Sequence, residues 1–268
     1  MNAFADQRRI ADSPLARANP TVKLLLLAGV SVMNLFILDP VTPVLLYLSA
    51  VLGVRFGARV RPRTLARAQL PFVSFAVGVL LVNALSRPGR AVWQSGPFRI
   101  SLEGLMVGSS LAVRVLLIGA LSIGFLSTTD PARLMTSLRM QLRVSPRCAY
   151  ALLAGHRVLL QLPGEWEQLR YAHQVRLPLS STGRRRRSLR VWTRCAFGLL
   201  VTTIRRGDRL AQALESRGLG LTPRTCWRPE IVRRADLGLV ALVIAGSVAA
   251  VAVSAALGTL RGIDAMFT

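Results

Sequence analysis

The residues best suited to chemistry in this sequence lie at the end of a predicted helix. Arg217 comes just before Gly218, and glycine commonly ends a helix in the left-handed conformation. Small side chains surround the arginine, so the helix end can enter a groove on another protein, where a guanidinium can pair bidentately with a carboxylate. The alternative interpretation is an ordinary helix cap. The residues expected to make such a contact are Ala213, Glu215, Ser216, Arg217 and Gly218.

A second arginine, Arg114, lies near the middle of a long apolar run. A charge at that depth in a membrane costs about 2.5–3.5 kcal/mol on insertion scales. We therefore expect its side chain to face protein or water rather than lipid. Arg114 is a candidate for contact with a membrane partner, and the alternative that the sequence favours is a buried structural pair or a side chain that snorkels to the membrane surface.

The sequence contains no motif for nucleotide binding or catalysis. A P-loop needs a lysine preceded by glycines, and the single lysine, Lys23, has no such neighbours. His156 and His173 have no acidic or cysteine neighbours at metal-ligand spacing. Glu165 and Glu167 are two positions apart, so they do not share a helix face, and we expect both to be solvated. The chain is therefore expected to bind no cofactor or metal and to catalyse no reaction.

The elements that position these residues are predicted to be membrane helices. The chain is 52% hydrophobic with a formal charge of +23, and its apolar residues form long runs between separate blocks of arginine. This pattern excludes a soluble globular enzyme, a disordered basic tail and a secreted disulfide scaffold. A helix needs roughly 20 apolar residues to cross the hydrocarbon. Runs near 21–38, 41–54, 70–86, 104–128 and 235–260 predict about five transmembrane helices, the first two joined by the turn Asp39-Pro40.

The arginines also predict the orientation of the chain. Basic residues close to membrane helices stay in the cytoplasm. The N-terminal segment and the predicted loop 55–67 are rich in arginine, and the segment between the fourth and fifth spans holds 21. We therefore expect the N-terminus in the cytoplasm and the C-terminus outside. The predicted domains are a membrane domain, 1–128, a cytoplasmic region, 129–234, and a final transmembrane helix with a short external tail, 235–268.

The region 129–234 is predicted to contain two or three long helices. Pro131 and Pro146 follow polar capping residues and should begin the first two. A third should begin near Ser188, where apolar residues recur every three to four positions. The fold class is therefore an all-α integral membrane protein with cytoplasmic helices between its last two spans.

Two interruptions are expected in these helices. Pro163-Gly164 should kink or break the second helix, and the polar stretch 205–208 should interrupt the third. The stretch 148–162 is apolar enough for a re-entrant segment or a sixth span, although Arg157 counts against this interpretation.

The order of these elements and the motif at 213–218 resemble the transmembrane (T) component of energy-coupling-factor transporters. This group includes the cobalt-uptake and biotin-uptake T proteins, which carry Ala-Arg-Gly-type motifs at the ends of two coupling helices. The second motif, typically A-M-E-A-R-G, is closely matched by A-L-E-S-R-G at 213–218. The first is matched at 172–177, where Arg176 is kept but Leu177 replaces the glycine. The resemblance covers roughly residues 20–260.

The resemblance implies a division of labour between subunits. Two ABC-type ATPases would bind ATP and Mg²⁺, and a membrane S component would bind the vitamin or transition-metal ion. This chain would couple them without being an enzyme and without a cofactor of its own. Arg176 and Arg217 would insert into grooves on the two ATPases, and the apolar faces of the coupling helices would hold the S component.

Two other functions are open at this point. One is a polytopic membrane enzyme acting on lipid or isoprenoid substrates, which would need clustered acidic ligands, whereas the 12 acids here are scattered. The other treats the arginine blocks, above all 184–187, as a surface for anionic lipid or nucleic acid. An arginine near an anionic leaflet contributes about 1 kcal/mol, and the region lacks the interleaved aromatics that would stack bases. The expected contact is with the lipid bilayer and not with nucleic acid.

Overall fold

The structure, a computed structural model, describes residues 10, 12–37, 39, 41–87, 91–95, 98–176, 189–219, 221 and 229–257. Most of these residues are helical, so the prediction of an all-α membrane protein is confirmed. The sequence analysis did not predict the one short antiparallel hairpin among them. The elements are α1 (Pro14–Arg17), α2 (Pro20–Leu35), α3 (Val41–Gly57), α4 (Pro62–Ser86), β1 (Ala91–Ser95), β2 (Phe98–Ser101), α5 (Leu102–Thr128), α6 (Pro131–Gln141), α7 (Pro146–Arg176), α8 (Leu189–Ser216) and α9 (Arg234–Ala256).

The chain divides into two compact units. The first consists of Met1–Asp130 and Ile231–Thr268 and contains α1 to α5, the hairpin and α9. The second consists of Pro131–Glu230 and contains α6, α7 and α8. In this division the predicted third domain, 235–268, belongs to the first unit. The predicted domain ranges themselves stay a prediction.

All five predicted apolar runs form helices. Among the described residues, three of these helices, α4, α5 and α9, are long and apolar enough to cross a membrane. The other two, α2 and α3, are apolar but shorter. The 16 residues of α2 extend about 24 Å at 1.5 Å per residue, less than the roughly 30 Å of a hydrocarbon core. The number of five complete crossings therefore stays a prediction.

The predicted basic loop 55–67 is mostly helical in the structure. α3 continues to Gly57, and α4 already begins at Pro62, which occupies its first turn. The prediction of a loop was wrong because apolar runs mark the part of a helix inside the membrane and not the ends of the helix. The aliphatic part of an arginine side chain covers apolar surface while its charged end reaches water, so helices can continue through basic residues at the membrane surface.

Small residues allow α4 and α5 to pack closely. Gly104 and Gly108 are four positions apart on α5 and both face α4. A Cβ atom at Gly104 would overlap the backbone oxygen of Asn83, and one at Gly108 would lie 3.0 Å from the backbone oxygen of Leu80. Two glycines at this spacing are typical of close contacts between membrane helices. The sequence analysis did not single out this spacing, although it could have indicated the contact.

We expect Gly104→Ala to destabilise the first unit, because its methyl group meets backbone atoms that cannot rotate away. Overpacking of this kind costs about 1–3 kcal/mol, and the thermal unfolding midpoint in detergent should fall. Gly246→Ala in α9 is the matched control, since no described atom beyond its chain neighbours and the nearby backbone of its own helix lies within 4 Å of the place that its methyl group would occupy. Equal midpoints for the two variants would contradict this account of the α4–α5 contact.

A group of buried polar residues holds the ends of three helices of the first unit together. The Lys23 ammonium donates to the backbone oxygen of Leu15 at 3.1 Å and to the backbone oxygen of Thr128 at 3.1 Å. The backbone N–H of Asn19 donates to Asp236 Oδ1 at 2.9 Å. We call Asn19, Lys23, Thr128 and Asp236 the N-terminal clasp. It fixes the end of α5 and the start of α9, where the chain leaves and re-enters this unit.

The turn between α2 and α3 is held by Asp39, which is fully buried. Its Oδ2 accepts from Thr42 N at 3.0 Å, from Thr42 Oγ1 at 2.7 Å and from the hydroxyl of Ser254 in α9. Its backbone oxygen accepts from Ser110 Oγ in α5 at 3.0 Å. Non-helical backbone at membrane depth needs partners within the protein. Asp39 supplies them and thereby links the short α2–α3 hairpin to two longer helices.

The helices of the second unit begin where the sequence predicts. α6 starts at Pro131 and α7 at Pro146, and the described part of α8 starts at Leu189. α7 is not broken at Pro163-Gly164 and α8 is not interrupted at 205–208, so these two predictions are wrong; a kink at Pro163 stays a prediction. α7 continues from Pro146 to Arg176 with Pro163 in its interior, and α8 continues through 205–208 to Ser216.

Candidate functional site

The C-terminal end of α8 has the geometry that its sequence predicts. Gly218 adopts a left-handed conformation with φ of 79°. Its N–H donates to the backbone oxygen of Glu215 at 2.9 Å, and the N–H of Leu219 donates to that of Leu214 at 3.0 Å. This pair of bonds is a Schellman motif, which satisfies carbonyls at the last turn and turns the chain away from the helix axis. These bonds and the left-handed Gly218 therefore fix the position at which α8 ends.

Arg217 stands exposed at this end. It makes no hydrogen bond or ion pair with any residue that the structure describes. Ala213, Glu215 and Ser216 lie beside it, and the Ser216 hydroxyl donates to its own helix, to the backbone oxygen of Ala213 at 3.1 Å. The structure thus brings the predicted residues of the second motif together on one helix end. They present a free guanidinium between small side chains.

The first motif is only partly described. α7 is described as far as Arg176, and Ala172 is exposed four positions earlier. The position of the Arg176 side chain and residues 177–188, including Leu177 and the arginines at 184–187, lie outside the described residues. The predicted contact of Arg176 and the effect of Leu177 in place of glycine stay predictions.

α7 and α8 cross near their middles. Gln161 accepts a hydrogen bond from Arg206 Nη1 at 2.8 Å, whereas Leu169 packs near Gly198. A later residue of α7 therefore contacts an earlier residue of α8. Consequently the two helices run in opposite directions at the crossing, and their C-terminal ends lie on opposite sides of it. The rings of Trp166 and Trp192 add an edge-to-face contact with centroids 5.8 Å apart.

Arg206 holds both sides of Pro163. It donates to Gln161 before the proline and forms an ion pair with Glu165 after it. This contact explains why α7 is not broken: the two turns that flank the proline are tied to the same side chain of α8. Glu165 is thus paired, and the expectation that it is solvated was wrong. Sequence reasoning missed the pair because nothing local indicates that α8 crosses α7 at this point.

A second ion pair joins the two ends of the second unit. Arg133 at the start of α6 donates from Nε to Glu230 Oε1 at 2.6 Å and from Nη2 to Glu230 Oε2 at 3.0 Å. A bidentate pair of this kind has a defined geometry. Gln141 also donates to the backbone oxygen of Glu230, at 3.5 Å. The first and last segments of the second unit are therefore held together, which the sequence did not indicate.

Large apolar side chains remain exposed on both crossing helices. On α7 these include Leu159 and Leu160, and on α8 they include Phe197, Leu200 and Ile204. The three α8 residues are three and four positions apart and so follow one face of the helix. α7 and α8 are not among the apolar helices that could span a membrane within the described chain. Contiguous exposed apolar surface marks contact sites for other proteins or for membranes.

Arg114 is buried in α5, with 8% of its surface exposed. Its Nε and Nη2 atoms have no hydrogen-bond partner among the described residues. This burial agrees with the expectation that Arg114 avoids lipid. The favoured alternative included a buried structural pair, but Nε and Nη2 form no hydrogen bond of such a pair. Its role as a partner contact stays a prediction.

Known proteins match most of this chain. Residues 11–227 match the family CbiQ, cobalt transport protein. The energy-coupling factor transporter transmembrane protein EcfT of Heliobacterium modesticaldum is 28% identical over 233 residues, which are 84% of this chain and 87% of the relative. EcfT of Thermanaerovibrio acidaminovorans is 28% identical over 250 residues, 88% of this chain and 91% of the relative. A protein of Bifidobacterium longum, which carries the name putative ABC transporter ATP-binding protein, is 26% identical to this chain over 244 residues. The matched part is 87% of this chain but 31% of that protein.

Proposed function

Because this chain belongs to the CbiQ family of cobalt transport proteins, we propose that it is the energy-coupling transmembrane component of an ECF-type importer. It transmits the ATP-driven motion of two ATPase subunits to a membrane S component that binds a vitamin or a transition-metal ion. The observation that carries the proposal is the free guanidinium of Arg217 at the end of a long helix that crosses another. ATP and Mg²⁺ are bound by the ATPases, and this chain binds no cofactor.

The crossing of α7 and α8 suits contact with two ATPases at once. Arg176 is the last described residue of α7, and Ser216 is the last residue of α8. Each lies about ten residues, or roughly 16 Å, beyond the ion pair of Glu165 with Arg206. Since the helices run in opposite directions there, the two ends are separated on either side of the crossing. Two similar ATPases can therefore each receive one helix end, and their closure would move both ends together.

The chemistry of the contact follows from the exposed groups. The fork of the Arg217 guanidinium matches a carboxylate in a groove of the ATPase, and the neighbouring Ala213, Ser216 and Gly218 leave room for the groove walls. Glu215 offers a carboxylate to a basic group of the same partner. Arg176 plays the corresponding part for the second ATPase.

The Bifidobacterium longum relative supports the partnership with ATPases. The part that matches this chain is 31% of that protein, whose name refers to ATP binding. In that relative, a segment similar to this chain is therefore part of a polypeptide whose other segments are more than twice as long. Such a fusion is expected when a membrane component and an ATP-binding component work in contact.

The S component is proposed to bind the exposed apolar faces of α7 and α8. Burial of side chains such as Leu160, Phe197 and Leu200 against another membrane protein would remove them from water. A tilt of either helix would then move the S component within the bilayer. The polar contact of Arg206 with Glu165 and Gln161 keeps the two helices together during this motion.

The proposed orientation places the N-terminus and the second unit in the cytoplasm and the C-terminus outside. The 21 arginines of the segment 129–234 support this placement, and the block 184–187 would contact the anionic inner leaflet of the bilayer. No nucleic acid is involved. The alternative of a membrane enzyme acting on lipid or isoprenoid substrates is not favoured, because the comparisons match transport proteins.

Purification of the tagged full-length chain from native membranes in mild detergent tests the proposal. Two ABC-type ATPases and a small membrane protein should co-purify, and the complex should hydrolyse Mg-ATP, whereas the chain produced alone should not. The proposal fails if the chain alone hydrolyses ATP or moves a solute uphill in vesicles, or if no ATPase is recovered with it at low salt.

A further inference from the structure

Two buried polar side chains line a cavity on the flank of the first unit. The cavity has a volume of about 290 Å³ and lies among α2, α4 and α5. Asn34 comes from α2 and Arg114 from α5, and the other lining side chains are mainly apolar. Leu35 and Ile118, which border it, are exposed on the surface of the unit. The cavity, here called the Asn34–Arg114 pocket, therefore opens toward the lipid.

The polar atoms in this pocket lack partners within the described chain. Asn34 has 1% of its surface exposed, and neither Oδ1 nor Nδ2 makes a hydrogen bond. Arg114 is likewise buried, and Nε and Nη2 are unpaired. Polar atoms in an apolar environment are unfavourable unless they form hydrogen bonds. The pocket thus contains donors and an acceptor arranged around space that another group can enter.

The unpaired atoms define the group that fits. Arg114 Nε and Nη2 are neighbouring donors, and Asn34 adds one donor group and one acceptor. Asp39 interacts favourably with the Arg114 charge, so a negative charge already lies near this guanidinium. A neutral group with an acceptor oxygen and a donor, which means a carboxamide or a hydroxyl, satisfies these atoms without adding charge.

The depth of the pocket indicates where that group comes from. Arg114 is 12 residues from the first residue of α5 and 14 from the last, about 18 Å and 21 Å along the helix. The hydrocarbon core is about 30 Å thick, so the polar headgroups of lipids lie beyond the reach of this position. A side chain on a transmembrane helix can occupy this depth.

We propose that the Asn34–Arg114 pocket binds a carboxamide or hydroxyl side chain from a transmembrane helix of the S component. The inference rests on the proposed function, because it takes the S component to be the membrane partner of this chain. The pocket gives the S component a polar contact within the bilayer, in addition to the apolar faces of α7 and α8.

Asn34→Leu tests the pocket, because it removes both polar atoms of Asn34 while this side chain makes no hydrogen bond within the described chain. The amount of S component recovered per ATPase should fall about tenfold or more, with the ATPases retained and the thermal unfolding midpoint not lowered. Asn83→Leu is the matched control: its amide donates within α4, to the backbone oxygen of Val79 at 2.9 Å, and it does not line the pocket. This variant should retain the S component.

Photocrosslinking gives a second test that does not depend on these variants. A photoreactive residue in place of Ile118, beside the pocket, should crosslink to the S component, whereas one in place of Val248, exposed on α9, should not. Full retention of the S component by Asn34→Leu overturns the proposal, as do crosslinks from position 118 only to lipid or to a second copy of this chain. A wild-type chain that recovers neither ATPases nor an S component contradicts the proposed function instead.

Discussion

Arg217→Ala is expected to abolish substrate uptake while the chain still inserts into the membrane. The guanidinium is exposed and makes no contact with the described residues, so its removal should not destabilise the fold. Truncation of one partner of a buried charge pair costs about 2–5 kcal/mol at an interface, which weakens binding about 30-fold or more. Uptake by cells that carry the whole transporter and ATPase recovery at increasing salt concentration would measure the effect.

Three further variants show whether the position and geometry of this arginine matter. Arg194→Ala removes an exposed arginine from the same helix at a distance from its end and should leave uptake unchanged. Arg217→Lys keeps the charge but loses the bidentate geometry, so it should retain only part of the uptake. Arg176→Ala should impair uptake less than Arg217→Ala, because its motif lacks the glycine. Normal uptake and normal ATPase binding by Arg217→Ala would refute the coupling role of this helix end.

Asp39→Ala should destabilise the first unit more than any other single change considered for it. The substitution removes the carboxylate oxygen to which Thr42 N, Thr42 Oγ1 and Ser254 Oγ donate, and it also removes the negative charge that interacts with Arg114. Buried donors without partners cost about 1–3 kcal/mol each, although such costs are not additive, and a total loss of about 3–5 kcal/mol is expected. Thermal unfolding in detergent would show the lowered midpoint.

Asp39→Asn separates the hydrogen bonds from the charge. The amide keeps one acceptor oxygen for Thr42 and Ser254, so we expect a smaller loss of stability than for alanine. Asp208→Ala, which removes an exposed carboxylate from α8, serves as the control and should not change the midpoint. If Asp39→Ala unfolds at the same temperature as the wild type, the turn does not depend on this carboxylate.

The features that could be predicted from the sequence are those set by neighbouring residues. Long apolar runs predicted the helices of the first unit, and prolines after polar residues predicted the starts of α6 and α7. The left-handed Gly218 and the exposed Arg217 also follow from a motif of six residues. Local sequence suffices in these cases because hydropathy, capping and glycine conformation act over a few positions.

The features that could not be predicted depend on contacts between distant segments. The break expected at Pro163 fails because Arg206, more than forty positions later, binds on both sides of it. Likewise, Asp39 has partners that lie 71 and 215 positions away. The sequence shows Lys23 only as a lysine without the glycines of a P-loop, yet its ammonium is a buried donor to Thr128. No periodicity or motif specifies such pairings.

The pocket around Arg114 falls between these two cases. Its burial could be predicted, because an arginine in the middle of an apolar helix avoids lipid. Asn34 is also a polar residue in an apolar run, and this signal could have marked it as a second candidate. Its proximity to Arg114 depends on how α2 packs against α5, which only the structure shows.

The bonds of α9 have a consequence for how the chain is made. Asp236 accepts from the backbone N–H of Asn19, and Ser254 donates to Asp39; both residues are synthesised more than 200 positions after these partners. Until α9 has entered the bilayer, neither of these two hydrogen bonds can form. We therefore expect a polypeptide that stops before α9 to pack its first helices less firmly, because it lacks both of these bonds.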